Sequence, residues 1–398
     1  MNGFERRYIL ANVGAFLAFL PLLVLLLPRR VEAVAPADPL TLLSVLLLVG
    51  GVTASLANIA AGHWSDRWFA AAGDRRGLIA LGLGAVLASY VLLATAMSAV
   101  ALLVALIAFQ LAFNIMFAPM GVLLADHVPD ARKGLVAGGL NMALPIAGFG
   151  ISALGWLGNR DALWPFALVA VSIALLFLPL LVRWPPAPPS NETLAAPLRF
   201  DLLRGDFAMA WIARLLVQLG AASLLGYLFL YVDTVASSAA GFGAGDTSSA
   251  VGWLTFLANL IAIGAGLAAG RLSDRIRRRR QPLILSALLV AAALACLALA
   301  PSWPLIIIAY ALFTAGLTAF LSVDSAMVAQ IVAARANRGA LLGLMNLTNT
   351  LPAIIAPALA LAFAQTMLEG SSLRLLLGLG SVAAIVSAIA VARIRSID

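Results

Sequence analysis

Gly62-His63-Trp64-Ser65-Asp66-Arg67 returns 208 residues later as Gly270-Arg271-Leu272-Ser273-Asp274-Arg275, keeping the glycine and the Ser-Asp-Arg run. A second set, Gly134, Gly138 and Asn141, returns 205 residues later as Gly339, Gly343 and Asn346. Two independent matches at nearly equal offsets point to an internal duplication. Each copy of the first motif follows the second apolar run of its half, and each copy of the second set opens the fifth run. The repeating unit is therefore a block of six apolar runs.

Composition says what those runs are. Of 398 residues, 63% are hydrophobic and 11% charged, against about 45–50% and roughly 25% in a soluble domain. Such a chain cannot cover a water-facing surface, so it reads as an integral membrane protein. Runs long enough to cross about 30 Å of hydrocarbon fall at approximately 7–27, 40–62, 77–97, 99–126, 134–157, 163–183, 207–232, 248–270, 282–301, 303–332, 339–366 and 372–394. The expected fold is all-α, with twelve transmembrane helices in two pseudo-symmetric six-helix bundles. The breaks after the third and ninth runs are the faintest, the latter marked by Pro301-Ser302-Trp303-Pro304. The first run follows Glu5-Arg6-Arg7 and precedes Ala33-Val34-Ala35, which has the form of a signal cleavage site. Its length, about 20 residues, and the following Pro36 make it an uncleaved span instead.

Arginine placement orients the chain. With a cytoplasmic amino terminus, 20 of the 25 basic residues fall on the cytoplasmic side, four (Arg29, Arg30, Arg160 and Arg374) on the other, and Arg214 within a span. Both termini are thus expected in the cytoplasm. The longest polar break, from Arg183 to Asp206, holds Pro185, Pro186, Pro188, Pro189 and Pro197. It divides an amino-terminal bundle (1–183) from a carboxy-terminal one (207–398), leaving 184–206 as a cytoplasmic linker. Asn191-Glu192-Thr193 within it matches a glycosylation acceptor, but a cytoplasmic loop would not be modified.

Several function classes fall away. The net charge of +8 comes from short arginine clusters between apolar runs, with no basic helix or aromatic pattern for nucleic acid. The single Cys296 allows no intrachain disulfide and no cysteine-based metal or redox site. His63 and His127 neighbour charged loop residues. No P-loop is present, since Lys133 stands between Arg132 and Gly134, and no metal, cofactor or Ser-His-Asp pattern stands out. A membrane enzyme acting on lipid would need an acid and base or a nucleophile grouped at one interface, and only scattered candidates exist. Work against a gradient would then draw on an ion gradient rather than ATP.

Six plus six spans, a long central loop and G-x-x-S-D-R after spans 2 and 8 resemble the major facilitator superfamily of secondary transporters across essentially the whole chain. The family's loop signature is matched by Gly62, Asp66, Arg67 and Gly73-Asp74-Arg75-Arg76, and again by Gly270, Asp274, Arg275 and Arg277 to Arg280. The residues suggest a reason for it: glycine lets helices approach closely, and a carboxylate can sit at the positive end of a neighbouring helix, worth about 0.3–1 kcal/mol. The resemblance implies that Asp66 faces the helix beginning near Gly339, and Asp274 the helix beginning near Gly134, when the cytoplasmic side is closed. A plainer reading is an ion pair ordering the loop within each half. The resemblance also implies a monomer in the cytoplasmic membrane.

Charge inside a span marks function by default. Arg214 in span 7 and Asp324 in span 10 both lie about 10–12 Å from the cytoplasmic end at 1.5 Å per residue, on spans that line the cavity in the resembling fold. An Arg214–Asp324 pair broken by a proton would couple transport to a proton gradient, with sodium as the other ion; a permanent structural pair is the alternative. Asp126 and Asp233 sit at span ends and read as interfacial. Candidate substrate contacts are Asn12, Gln110, Asn114, Phe117, Gln218, Tyr227, Tyr231, Tyr310, Thr314 and Asn346, with Asn349 and Asn141 adding amides. Such a pocket suits an uncharged or weakly charged organic solute. Leu144-Pro145-Ile146-Ala147-Gly148 keeps part of the G-P-x-x-G element of drug antiporters, while Gly343, Asn346 and Pro352 look like proton-coupled sugar symporters. Export by antiport is favoured, with sugar-type uptake as the alternative and a non-transporting sensor or scaffold more remote.

Overall fold

The computed structural model describes residues 2–157, 163–185, 203–243, 246–276, 279–299, 302–333 and 338–394. Most of the Pro-rich linker and Asn191-Glu192-Thr193 lie outside them. Among the described residues twelve helices are long and apolar enough to cross a membrane. The chain divides into two units, residues 1–193 and 194–398.

In unit 1, α1 (Gly3–Pro21) runs through a π-helical turn (Leu22–Leu26) into α2 (Leu27–Val34) as one span. There follow α3 (Pro39–Ala72), α4 (Arg76–Thr95), α5 (Ala99–His127), α6 (Asp130–Asn141), α7 (Ala143–Trp156) and α8 (Leu163–Val182). Unit 2 repeats the plan. Its first span is α9 (Gly205–Leu225), α10 (Leu228–Tyr231) and a π-helical turn (Val232–Ala236). Then come α11 (Thr247–Ile276), α12 (Arg280–Leu299), α13 (Trp303–Ala333), α14 (Arg338–Thr350), α15 (Pro352–Ala364) and α16 (Glu369–Ala392).

Local chemistry sets the ends. Asn2 and Glu5 form a reciprocal capping box, each side chain accepting from the other's backbone N–H at 2.8 Å. Asp38 caps α3 through Thr41 N at 3.2 Å, with Pro39 at the first helical position. Gly73, at φ +75°, ends α3 in the left-handed conformation that favours glycine. The faint break between spans 3 and 4 is settled by Ser98, whose hydroxyl accepts from Ala101 N at 3.2 Å and starts α5. The fifth and eleventh spans, expected as single runs, are instead broken at Met142 and Leu351. Pro352 explains the second break, because its ring cannot continue the preceding turn.

The helix pairings repeat between units. In unit 1, α5 packs on α3 and α4, and α1 on α7 and α8; in unit 2, α13 packs on α11 and α12, and α9 on α15 and α16. Buried hydroxyls are satisfied by carbonyls of neighbouring helices: Tyr8 donates to Met120 O at 2.8 Å, Tyr90 to Ala18 O at 2.6 Å and Tyr231 to Leu297 O at 2.7 Å. Large apolar side chains such as Leu56, Val91, Leu175, Leu285 and Ile389 are exposed. That is the surface a bilayer covers.

Among the described glycines of unit 1, Gly82 comes nearest to the backbone of another helix. A Cβ there would lie 2.5 Å from Met116 N and 2.7 Å from its Cα, both backbone atoms of α5. Gly82→Ala should therefore cost about 1–3 kcal/mol by overpacking. Gly84, one turn-half away on α4, has open space in the same position, so Gly84→Ala should be neutral or stabilising through helix propensity. Thermal unfolding in detergent checks the pair, and equal midpoints would refute the account of the contact.

Candidate functional site

Trp211, Arg214 and Gln218 sit three and four residues apart on α9 and so share one face. Asn346 and Asn349 do the same on α14. Trp211 Nε1 donates to Leu344 O at 2.7 Å, fixing α9 against α14. Arg214 Nη1 reaches Asp324 Oδ2 on α13 at 3.2 Å. Its Nη2 lies 3.4 Å from Asn349 Oδ1, which also accepts from Gln218 Nε2 at 3.0 Å. Asn349 Nδ2 donates to Asn346 Oδ1 at 3.2 Å.

The two charges differ in exposure. Asp324 is wholly buried, while the Arg214 side chain keeps 18% of its surface and both asparagines are exposed. Ala213, Val217, Phe320, Val323 and Met327 form the apolar packing of the same helices. Asp324 Oδ1 and Arg214 Nε are buried with no hydrogen-bond partner. A buried pair compensates its desolvation only when remaining lone pairs and protons are satisfied, so this pair is under-satisfied on both sides. The arrangement offers a buried carboxyl oxygen able to hold a proton, beside a cation and a row of exposed amides.

The other candidates in unit 2 make contacts elsewhere. The Tyr231 hydroxyl is taken by Leu297 O. Tyr310 stacks on Phe313 at 6.2 Å. Thr314 Oγ1 donates within α13 to Ala311 O at 2.9 Å and Tyr310 O at 3.1 Å. Tyr227 is buried. Asp233 accepts from Thr247 Oγ1 at 2.6 Å.

Unit 1 carries a second polar group. Asn58 Nδ2 donates to Asn114 Oδ1 at 3.1 Å, Asn114 Nδ2 to Gln110 O at 2.8 Å, and Gln110 Oε1 is buried without a partner. Phe117 stacks on Phe113 at 5.2 Å and meets Phe16 edge-on at 6.2 Å. Asn12 Nδ2 donates to Leu140 O at 3.1 Å, a helix-to-helix bond. The side chain of Asn141 lies outside the described residues.

At the loop motif, Arg75 is the hub. Asp66 accepts from Arg75 Nη1 and Nη2 at 3.1 Å, Asp126 lies 3.5 Å from Arg75 Nε, Ser65 Oγ accepts from Nη1, and the Phe69 ring lies 4.9 Å from the guanidinium carbon. Arg75 is buried and the Asp66 side chain is 63% exposed. Within unit 1 the motif's Asp66 is thus ion-paired inside its own half. Burial holds the nearby His127 imidazole below the ordinary histidine range, opposed by Asp126 and reinforced by Arg75. Arg67 is exposed. The expectation for Gly62 needs correction: no described atom lies within 4 Å of where its Cβ would sit, so close packing does not call for glycine there. Gly270, Asp274 and Arg275 lie on the last turns of α11, and their side chains are outside the described residues, as are those of Gly134, Gly339 and Gly343.

Three features escaped the sequence reading: Arg75 as a buried hub, Asn58 beside Asn114, and a wholly buried Glu5 paired with Arg132 Nη2 at 3.1 Å. Only Glu5 had a signal, as the third helical residue after a capping asparagine.

A duplicated six-helix membrane unit with an ion pair, Arg214 and Asp324, set inside its spans is the architecture of a membrane transporter. Residues 8–245 and 239–397 match the Major Facilitator Superfamily model, and the chain belongs to that family of transporters. Among solved structures it is similar to a bacterial homolog of the human lysosomal transporter Spinster. In the inward-facing, occupied conformation of that protein the TM-score is 0.72 at 15% identity, covering 98% of this chain and 96% of the other. In the inward-facing, unoccupied conformation the TM-score is 0.67 at 16% identity, covering 98% and 95%. At such identity the likeness is one of fold. No curated protein matches the sequence significantly.

Proposed function

We propose that this transporter moves a small organic solute across the cytoplasmic membrane by alternating access, coupled to protons through Asp324 and Arg214. The supporting observation is the wholly buried Asp324, held by Arg214 at 3.2 Å with one oxygen left without a partner. A proton arriving on that carboxyl removes the charge that Arg214 holds, so the two helices are tied differently in the two protonation states. Sodium is the other candidate ion. Export by antiport is supported by Pro145 and Gly148 in the first turns of α7. Uptake by symport is the second reading, supported by Gly343, Asn346 and the helix break at Pro352. The protein acts as a monomer with both termini in the cytoplasm and residues 184–206 as the linker. The experiment is solute uptake into proteoliposomes under an imposed pH gradient, with Asp324→Asn alongside; equal gradient dependence would refute the coupling.

The paired loop motifs are proposed to bias the closed cytoplasmic state. Loss of a helix-end contact worth about 0.3–1 kcal/mol shifts a two-state equilibrium about two- to fivefold. In a background lacking Cys296, Asp66→Ala should raise labelling of an introduced cytoplasmic-side cysteine by that factor, and equal labelling would remove the gating role.

A further inference from the structure

Among the described residues, Arg214 is the one arginine or lysine set more than two turns from both ends of its helix. A guanidinium has two hydrogen-bonding edges, and Asp324 engages only Nη1. The opposite edge is Nε with Nη2. Its Nε is buried without a partner, and Nη2 reaches Asn349 Oδ1 only at 3.4 Å, a long bond. Two parallel N–H groups match the two oxygens of a carboxylate.

What surrounds that edge has the same bias. The oxygens of Asn349 and Asn346 already accept bonds from Gln218, Arg214 and Asn349. With those oxygens engaged, the remaining amide N–H groups of Asn346, Asn349 and Gln218 are available as donors beside that edge. Both asparagines are exposed although they lie on a membrane-length span, where exposed amides are affordable only against water or a solute.

We propose that the free edge of Arg214 binds the carboxylate of a singly charged organic anion, with Asn349, Gln218 and Asn346 as amide donors. The inference rests on the site proposed above and names its substrate class. An ionised Asp324 repels such an anion and shares its only cation. Anion and proton therefore favour each other's binding, the sign expected of symport, the second reading above, and not of antiport. Among the described residues, the other charged groups on α9, α13 and the helices packed against them (α11, α12, α14, α15 and α16) are Asp206, Arg271, Asp274, Arg275, Arg280, Arg338, Glu369 and Arg374, all within two turns of a helix end.

The test is thermal unfolding of the purified full-length protein with butanoate, hexanoate, octanoate and phenylacetate, each against its primary amide. A ligand that binds only the folded protein raises the midpoint. The acids should protect and the amides should not. Arg214→Gln should abolish the protection, and Arg214→Lys, which keeps the charge but loses the two-donor edge, should weaken it about tenfold. Asp324→Asn should tighten acid binding by about the same factor. Equal protection by amides, protection by no acid, or protection that survives Arg214→Gln overturns the assignment. The coupling role fails separately: if acids bind through Arg214 while Asp324→Asn still moves protons, coupling is refuted and the anion site stands. If Asp324→Asn loses proton movement but acids show no advantage over amides, the anion site alone is refuted.

Discussion

Asp324→Asn should reduce gradient-driven accumulation of solute to the background of empty liposomes while leaving downhill exchange between the two sides intact. The two processes differ in what they ask of the carboxyl. Exchange needs the loaded protein to reorient, and an amide keeps the volume of the side chain and a hydrogen bond to Arg214 Nη1. Accumulation needs the group to gain and lose a proton on opposite sides, and an amide does neither. Uphill transport at wild-type rates in Asp324→Asn would end the proposal that this residue couples.

The second large effect is on stability. Arg214→Leu leaves Asp324, which is wholly buried, with an uncompensated charge, at a cost of about 3–5 kcal/mol. Adding Asp324→Leu should recover most of the loss, because replacing a whole buried pair by apolar side chains is often neutral or stabilising. The unfolding midpoints of both single variants and the double one form a cycle that isolates the coupling. Single variants no worse than Gln218→Ala would show that the contact carries no energy. A double variant that folds and still transports uphill would leave the pair a structural feature only.

The twelve spans and their duplication were legible because both rest on long-range features of the sequence, an apolar run of membrane length and a motif repeated at one offset. Interruptions inside a run were not. Hydropathy records how long a run is, not the register of its hydrogen bonds, so it did not place the π-helical turns at Leu22–Leu26 and Val232–Ala236 or the break at Met142, although Pro21 and Pro145 stand beside two of them. Arg214 and Asp324 were found because charge within a span is rare. Their helical positions made a pair geometrically reasonable, and the contact is present at 3.2 Å. Arg75 was harder. It lies nine residues beyond Asp66, across the turn at Gly73, and looked like one more basic loop residue; only folding reveals that α3, α4 and α5 bury it between Asp66 and Asp126. The tyrosines were ambiguous for a related reason. A hydroxyl in a span can face a solute or a carbonyl of the next helix, and Tyr8, Tyr90 and Tyr231 all chose carbonyls.

Luminal pH in proteoliposomes tests the central claim most directly. With a pH dye inside and a carboxylate or neutral solute added outside, wild-type vesicles should change luminal pH on solute addition, acidifying for symport or alkalinising for antiport. Asp324→Asn vesicles of equal protein content should stay flat. Labelled solute crossing the wild-type membrane with no pH change, or the same change in Asp324→Asn, would contradict proton coupling at this carboxyl.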